Sequence, residues 1–471
     1  MSTCLLLLAC GPQSPGSEFD GPLEPEEVGQ PGAQTPAPVQ PTTQGRSWYV
    51  SLKGADTAKG TSTAPVKTIG RAVALAAPGD VILIQPGVYE ESLTLDARGA
   101  TAAAITLRGE GDTRPTLIPG TQKQGSVIRV RGRWNLENLN IDVKNAAKFA
   151  VSFESTAHFS TLVHCELQDG TAGSGVVVEG ARSVTLRDNH IHHFNRPDDD
   201  AHGVTVVGPA QDTVIQGNDI HHNSGDSVQC QAGSAPAVGL RIENNSLHDE
   251  GENGVDIKTC QDVTIRNNAF RGFPNRAVRP MGSSAGEAVV IHLSARDVRV
   301  LDNRIERAGR GISILGDGAD PENIRLERNQ IWDIRNTPAS NGQGIRIESA
   351  RNVAVLDNVV EDTASYGLML AADGRTVTGL EVRNNIVKKG VGGALLVRLG
   401  RDAHRPGLRM TNNRYSTGGI LKADGVSDRL TGQNASYRED FSGEQLTLAS
   451  SAKLESWQWV LGVDGGSLLL E

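Results

Sequence analysis

The chain has 471 residues, with 46 Lys and Arg against 55 Asp and Glu for a net charge of −9, and 38% of it is hydrophobic. That combination excludes a long acidic disordered chain and a multispan membrane protein, and the acidic balance excludes nonspecific nucleic-acid binding, which needs a basic surface to neutralise phosphates. With 54 Gly and only 4% aromatics, the interior has to be filled by Val, Ile, Leu and Ala.

The first ten residues, MSTCLLLLAC, form an apolar run closing on Leu-Leu-Ala-Cys. The run resembles the lipobox of bacterial lipoprotein signal peptides, which makes residues 1–10 a signal and Cys10 the lipidated residue, although no basic segment precedes it. Residues 11–46 hold eight Pro, six Gly, five carboxylates and one Arg without apolar periodicity, and read as a disordered tether. A bacterial cell-envelope address follows, on the outer surface or in the periplasm, with membrane contact only through the lipid. Cys165, Cys230 and Cys260 lack CxxC or Cys/His spacing, so neither a disulfide framework nor a zinc finger is expected, and Cys230 reads as a small buried apolar residue.

Residues 47–420 read as one domain. Ile69, Ala72, Val73 and Ala76 share a helical face ahead of a Pro-Gly-Asp turn and a strand, which predicts a helix capping the first coil of a solenoid. From about residue 136 one pattern recurs: an alternating strand, an Asn, then an apolar residue, at Asn189, Asn218, Asn245, Asn268, Asn303, Asn329, Asn358, Asn385 and Asn413. The span of 224 residues over eight intervals gives 28 per repeat. Short strands at this period predict an all-β, single-stranded right-handed parallel β-helix with an asparagine ladder, the amides bonding along the column and tolerating left-handed backbone at the turn. A second strand occurs once per interval: GVTVV at 203, SVQCQ at 227, GVDIK at 254, AVRPM at 277, GISIL at 311, GIRIE at 344, GLMLA at 367 and ALLVR at 394. Residues 421–471 read as a C-terminal capping tail, and a monomer is expected.

The AAPGDVILIQPGVY run and the later ITLRGEG resemble the entry coils of secreted, pectate-lyase-like right-handed β-helix proteins, nearest in pattern to the chondroitinase-B and alginate-lyase family of polysaccharide lyases. The resemblance implies that GVTVV to ALLVR form the first sheet, the face that carries active sites in such proteins. Val204, Val206, Val228, Cys230, Val255 and Ile257 then point inward, and Thr205, Gln229, Gln231, Asp256, Lys258, Arg279, Arg346 and Glu348 point outward. The lengthened loop FNRPDDDAH adds Asp198, Asp199, Asp200 and His202, and the next two loops add Asp226, Asp249, Glu250 and Glu252. Long loops beside a charged patch on a rigid scaffold mark a groove.

These residues suit β-elimination on an acidic polysaccharide. Asp226, Gln229, Glu252 and Asp256 are oxygen donors for Ca2+, which would neutralise a uronate carboxylate. Lys258 is the candidate base, its pKa expected to be lowered by the metal and Arg279, and Arg279 faces the leaving oxygen. Gln231, His202 and Arg346 are candidate substrate contacts. In the resembled family calcium ligands precede a Lys base and an Arg follows one coil later, the order kept by Gln229, Asp256, Lys258 and Arg279. The family's His-Gly after the Arg is here Pro280-Met281, and its Glu-x-Glu is replaced by Val255 and Asp256, with Glu252 farther back. The alternatives are a noncatalytic carbohydrate-binding or cell-surface scaffold and, third, a polygalacturonase-like hydrolase using Asp226 and Asp256. Asp256 and Arg279 on adjacent coils also fit a plain cross-strand ion pair. The column His192, His221 and His248 stacks three imidazoles but continues as Arg271, Glu306, Trp332 and Glu361, and reads as solvent-facing rather than metal-binding.

Overall fold

A computed structural model describes residues 45–470, apart from 97–102, 122–124, 145, 197–198, 372–375, 391–393 and 402–406. The signal, Cys10, nearly all of the tether and Asp198 lie outside the described residues.

The chain visits three faces in turn. His190–His192 is followed by Val204–Val207, then Val214–Gln216, and then Asp219–His221, which pairs in parallel with His190–His192 of the turn before. Among the described residues this generates three 14-stranded sheets, called here the groove sheet (containing Val204–Val207), the second sheet (Val214–Gln216) and the third sheet (Asp219–His221). The inward residues Val204, Val206, Val228, Cys230, Val255 and Ile257 are all buried, in one continuous core of aliphatic side chains.

The asparagine ladder stands between the second and third sheets. From Asn189 to Asn385 each Nδ2 donates to Oδ1 of the next ladder Asn at 2.9–3.0 Å, and Asn413 donates to Asp464 Oδ1 at 3.0 Å. The left-handed residue is not the Asn, as the sequence reading has it, but the one before it: Asp188, Gly217, Asn244, Asn267, Asp302, Arg328, Asp357, Asn384 and Asn412 all have φ between 54° and 68°. The bend is made there, and it turns the following Asn inward where its amide meets the column.

Both ends of the solenoid are covered. The helix Ile69–Leu75, capped by Thr68, buries Ile69, Ala72 and Val73 over the first turn. At the other end Gln445–Thr447 pairs antiparallel with Ile420–Ala423, and the helix Ser451–Leu461 buries Leu454, Trp457 and Val460. Exposed strand edges template further pairing, and these elements occupy them.

Two expectations are corrected. AVRPM is not a strand: residues 277–281 belong to a loop, and the groove-sheet strand of that turn is Glu287–His292. The EAVVIH segment has the stronger apolar alternation and wins the register, whereas Pro280 cannot donate to a ladder. Secondly, Cys230 and Cys260 form a disulfide, with Cα atoms 6.3 Å apart and only Cys165 free among the described cysteines. Cys230 sits over Ile257 of the next turn; Cys260, three residues on at the bend, turns back into the same core layer. A link closing about 30 residues contributes roughly 3 kcal/mol by restricting the unfolded chain. Thermal unfolding with and without dithiothreitol should show that loss, and Cys260→Ala should melt like the reduced protein.

Candidate functional site

Loops from four consecutive turns and three consecutive strands of the groove sheet build one acidic cluster. Along the sheet Thr205, Gln229, Asp256, Val290, Ser313 and Arg346 stack in register. Lys258 lies against His292 on the same face.

Asp256 is the centre of the strand layer. Its Oδ2 accepts from Lys258 Nζ at 2.9 Å and its Oδ1 from His292 Nε2 at 2.8 Å, while His292 Nδ1 meets Asp317 at 2.9 Å. Asp226 holds the loop layer together: its Oδ1 accepts from the backbone and side-chain nitrogens of Asn253, and its Oδ2 from Gln229 Nε2 at 3.2 Å. His202 Nδ1 is 3.2 Å from the same Oδ2 and accepts from the Asp226 backbone N–H at 2.9 Å. Behind these, the fully buried Glu250 accepts from Asn223 and Ser227. Arg279 reaches in from the 274–286 loop, pairing with Asp200 and standing 3.5 Å from Glu252 Oε1 and 3.4 Å from Ser224 O. Gly251 makes that approach possible, since a Cβ there would stand 2.5 Å from Ser224 O and 2.8 Å from Arg279 Cβ.

The charges are crowded. Burial, with Asp226 and Asp200 beside it, pushes Glu252 up to about 9 against the pull of Arg279. Burial pushes Glu250 well above the usual carboxylate range. For Lys258 burial works against the ammonium form, but Asp256, assisted by Asp226 and Glu252, outweighs it and raises its pKa. His292 is raised in the same way by Asp256 and Asp317. The expectation that Arg279 lowers the lysine pKa is overturned, because the carboxylates nearest Lys258 dominate and Arg279 is occupied by Asp200 and Glu252.

Lys258, Arg279, His202, Asp226, Gln229, Glu252 and Asp256 are thus brought together. The Asp256–Arg279 cross-strand pair is not formed, since Arg279 is not on the sheet and Asp256 instead pairs with Lys258 and His292. Gln231 lies at the outer edge of the same strand as Gln229. Arg346 stands three turns beyond Asp256, engaged by Glu348 at 2.6 Å, and does not join the cluster. The sequence reading missed His292 and Asn253; taking EAVVIH as the strand would have placed His292 beside Lys258. A pocket of about 620 Å³ at the C-terminal end, lined by Met410, Tyr437 and Trp459, holds only one carboxylate, Glu455, and offers no comparable chemistry.

The histidine column also departs from expectation, for His192 and His248 are buried. Asp219 is held down to about 2, first by the hydrogen bond from His248 Nε2 at 3.0 Å. Its folded pKa lies below the ordinary 3.8, so the stabilisation is present above about pH 4 and lost as the pH falls toward 2. His248→Asn should raise the midpoint of acid unfolding followed by circular dichroism; an unmoved midpoint would show that the pair contributes nothing.

Residues 48–227 match the family model described as Pel9A-like, right handed beta helix region, and residues 240–415 match the one described as right handed beta helix region. The chain is a pectate-lyase-like right-handed β-helix. Solved β-helices similar to it include the PL6 family alginate lyase AlyGC, with a TM-score of 0.57 at 16% identity over 75% of this chain and 51% of that one. A mannuronic acid specific polysaccharide family 6 lyase from human gut microbiota gives 0.54 at 14% identity, over 72% and 82%. The GH87 alpha-1,3-glucanase of Streptomyces thermodiastaticus strain HF3-3 gives 0.52 at 17%, over 83% and 69%. Such identities show the fold alone. Among curated proteins, this β-helix is 21% identical to the uncharacterized protein YwoF of Bacillus subtilis over 47% of the chain and 46% of the relative. It is 32% identical to the mannuronan C5-epimerase AlgE5 of Azotobacter vinelandii over 17% and 8%. The chain spans less than half the length of the curated relatives it matches.

Proposed function

We propose that this β-helix cleaves an acidic, uronate-containing polysaccharide by β-elimination, with Lys258 as the base. The observation that carries the reading is the convergence on carboxylates from three adjacent turns of Lys258, paired with Asp256 at 2.9 Å, and Arg279, 3.5 Å from Glu252 and paired with Asp200. The two similar family 6 lyases, one an alginate lyase and one specific for mannuronic acid, support the substrate class.

The donor set suits a hard, oxygen-liganded cation such as Ca2+: Glu252, Asp256 and the Gln229 amide oxygen are candidate ligands, with Asp226, held by Asn253 and Gln229, as a third carboxylate. Burial first, and then the neighbouring Asp226 and Asp200, push Glu252 up to about 9 against the pull of Arg279. A calcium ion held by Glu252, Asp256 and Gln229 would neutralise the C6 carboxylate, which would acidify the C5 proton, and would offset part of the Asp256 charge that holds the lysine proton. Lys258 Nζ would first give its own ammonium proton to solvent and would then take the C5 proton as the free amine, with Asp256 fixed beside it by His292. Arg279 would face the departing oxygen, which leaves as the alcohol on taking a proton from solvent, and His202, Gln231 and Arg346 would contact sugars along the groove. The apolar N-terminal run and the proline-rich segment support a bacterial-envelope lipoprotein attached at Cys10.

A panel of polyuronates assayed by ultraviolet absorbance should yield unsaturated products from at least one member, with the rate lost in EGTA and restored by calcium. One observation favours hydrolysis instead: Glu252 at about 9 is protonated at neutral pH, as a general acid must be. Reducing ends formed without unsaturation would establish that reading, and binding without either product would leave a carbohydrate-binding scaffold.

A further inference from the structure

The third sheet carries a second cluster that the groove chemistry does not use. Glu166 pairs in register with His190 of the next turn, and Gln168 with His192. Glu166 Oε1 stands 3.9 Å from His190 Nδ1 and 3.6 Å from His192 Nε2, and one ligand atom from each residue lies within 4.8 Å of the others. His192 is 7% exposed, and its Nε2 is buried without a hydrogen-bond partner. Such a nitrogen calls for an occupant.

The far nitrogens are already fixed. His190 Nε2 is 2.7 Å from His221 Nε2, and His192 Nδ1 is 2.6 Å from His193 Nδ1. In the tautomers in which His190 Nε2 donates to His221 and His192 Nδ1 donates to His193, the lone pairs of His190 Nδ1 and His192 Nε2 both face the Glu166 carboxylate. Metal-binding imidazoles are held in this way, with the second nitrogen bonded to a neighbour that sets tautomer and orientation. A tetrahedral ion with ligands at about 2.1 Å spaces them about 3.4 Å apart, against 3.9 and 3.6 Å from Glu166 Oε1 to the two imidazole nitrogens.

We propose that Glu166, His190 and His192 form a site for a divalent late transition-metal ion of the zinc class, with its fourth position open to solvent. Two imidazoles and one carboxylate select such an ion over calcium. The side chains of Glu166 and His190 are 31% and 38% exposed, so an ion enters from the surface, and its ligands tie two successive turns together.

The test is isothermal titration of the full chain with Zn2+ in calcium-containing buffer, with thermal unfolding alongside. One equivalent of zinc should bind and raise the Tm, and Co2+ should give the strong visible bands of a four-coordinate ion. His190→Asn and Glu166→Gln, both at partly exposed positions that tolerate the change, should each weaken binding at least tenfold and remove the Tm shift. His164→Asn, an exposed histidine elsewhere, should leave both unchanged. Zinc bound equally by wild type and His190→Asn would overturn the proposal, as would no binding at all. Binding lost in Asp256→Asn but kept in His190→Asn would send the ion to the groove and overturn it equally.

Discussion

Lys258→Ala should lower the rate of unsaturated-product formation by about a hundred- to ten-thousandfold, the range over which a positioned proton-transfer group acts. The fold should survive, because Asp256 keeps its hydrogen bond from His292 at 2.8 Å and the side chain of Lys258 is itself 28% exposed. The decisive companion is Lys258→Arg. A guanidinium keeps the positive charge against Asp256 but does not release a proton at any working pH. If Lys258 only balances charge or holds the sugar carboxylate, the arginine variant recovers most of the rate; if it is the base, arginine is as inactive as alanine. Equal activity in wild type and Lys258→Ala would remove the assignment. His292→Ala separates position from chemistry, since it frees one oxygen of Asp256 without touching Lys258, and a smaller loss, mainly in kcat, is expected.

The architecture was legible because a β-helix writes each structural column into the sequence at one period. Nine asparagines at a mean spacing of 28 residues identified the ladder, and the alternation at Val204, Val228 and Val255 identified the groove sheet with its correct outward residues. Reading failed where the period broke. The interval from Asn268 to Asn303 is 35 residues long, and within it two segments compete for one strand position. The loop segment AVRPM took the place of EAVVIH, which hid His292 and put Arg279 on the sheet. Arg279 reaches the cleft all the same, because the extra residues form a loop that folds back to Asp200 and Glu252. Pairings across the core were equally hidden: Cys230 and Cys260 differ by one turn plus three residues, a separation that signals contact only once the turn length is known. Tautomers and buried nitrogens such as His192 Nε2 have no sequence signal at all. They arise from which neighbour each ring meets, and that is decided by side-chain packing between turns.

Asn303→Ala should cost about 4 kcal/mol or more, because the ladder is satisfied only as a continuous column. Asn303 Nδ2 donates to Ile265 O and Asn329 Oδ1, both at 3.0 Å, and its Oδ1 accepts from the backbone and side-chain nitrogens of Asn268 at 2.9 and 3.0 Å. Alanine leaves two donors of Asn268 unpaired and takes the side-chain donor from the Ile265 carbonyl, at a position with no solvent exposure. Each such group costs about 1–3 kcal/mol when nothing replaces its partner. Asp in place of Asn keeps the acceptor and removes the donors, so it should restore the Asn268 bonds while placing a carboxylate where Ile265 O needs a donor, and it should be no better than alanine. Chemical denaturation of the variants, read by far-ultraviolet circular dichroism, measures both losses. Asn135→Ala on the outer face, where the amide makes only a 3.3 Å contact to Thr106 and accepts from Thr161, should fall within about 1 kcal/mol of wild type. If Asn303→Ala unfolds no more easily than Asn135→Ala, the column is a consequence of the coil rather than one of its causes, and burial of the aliphatic core alone sets the register.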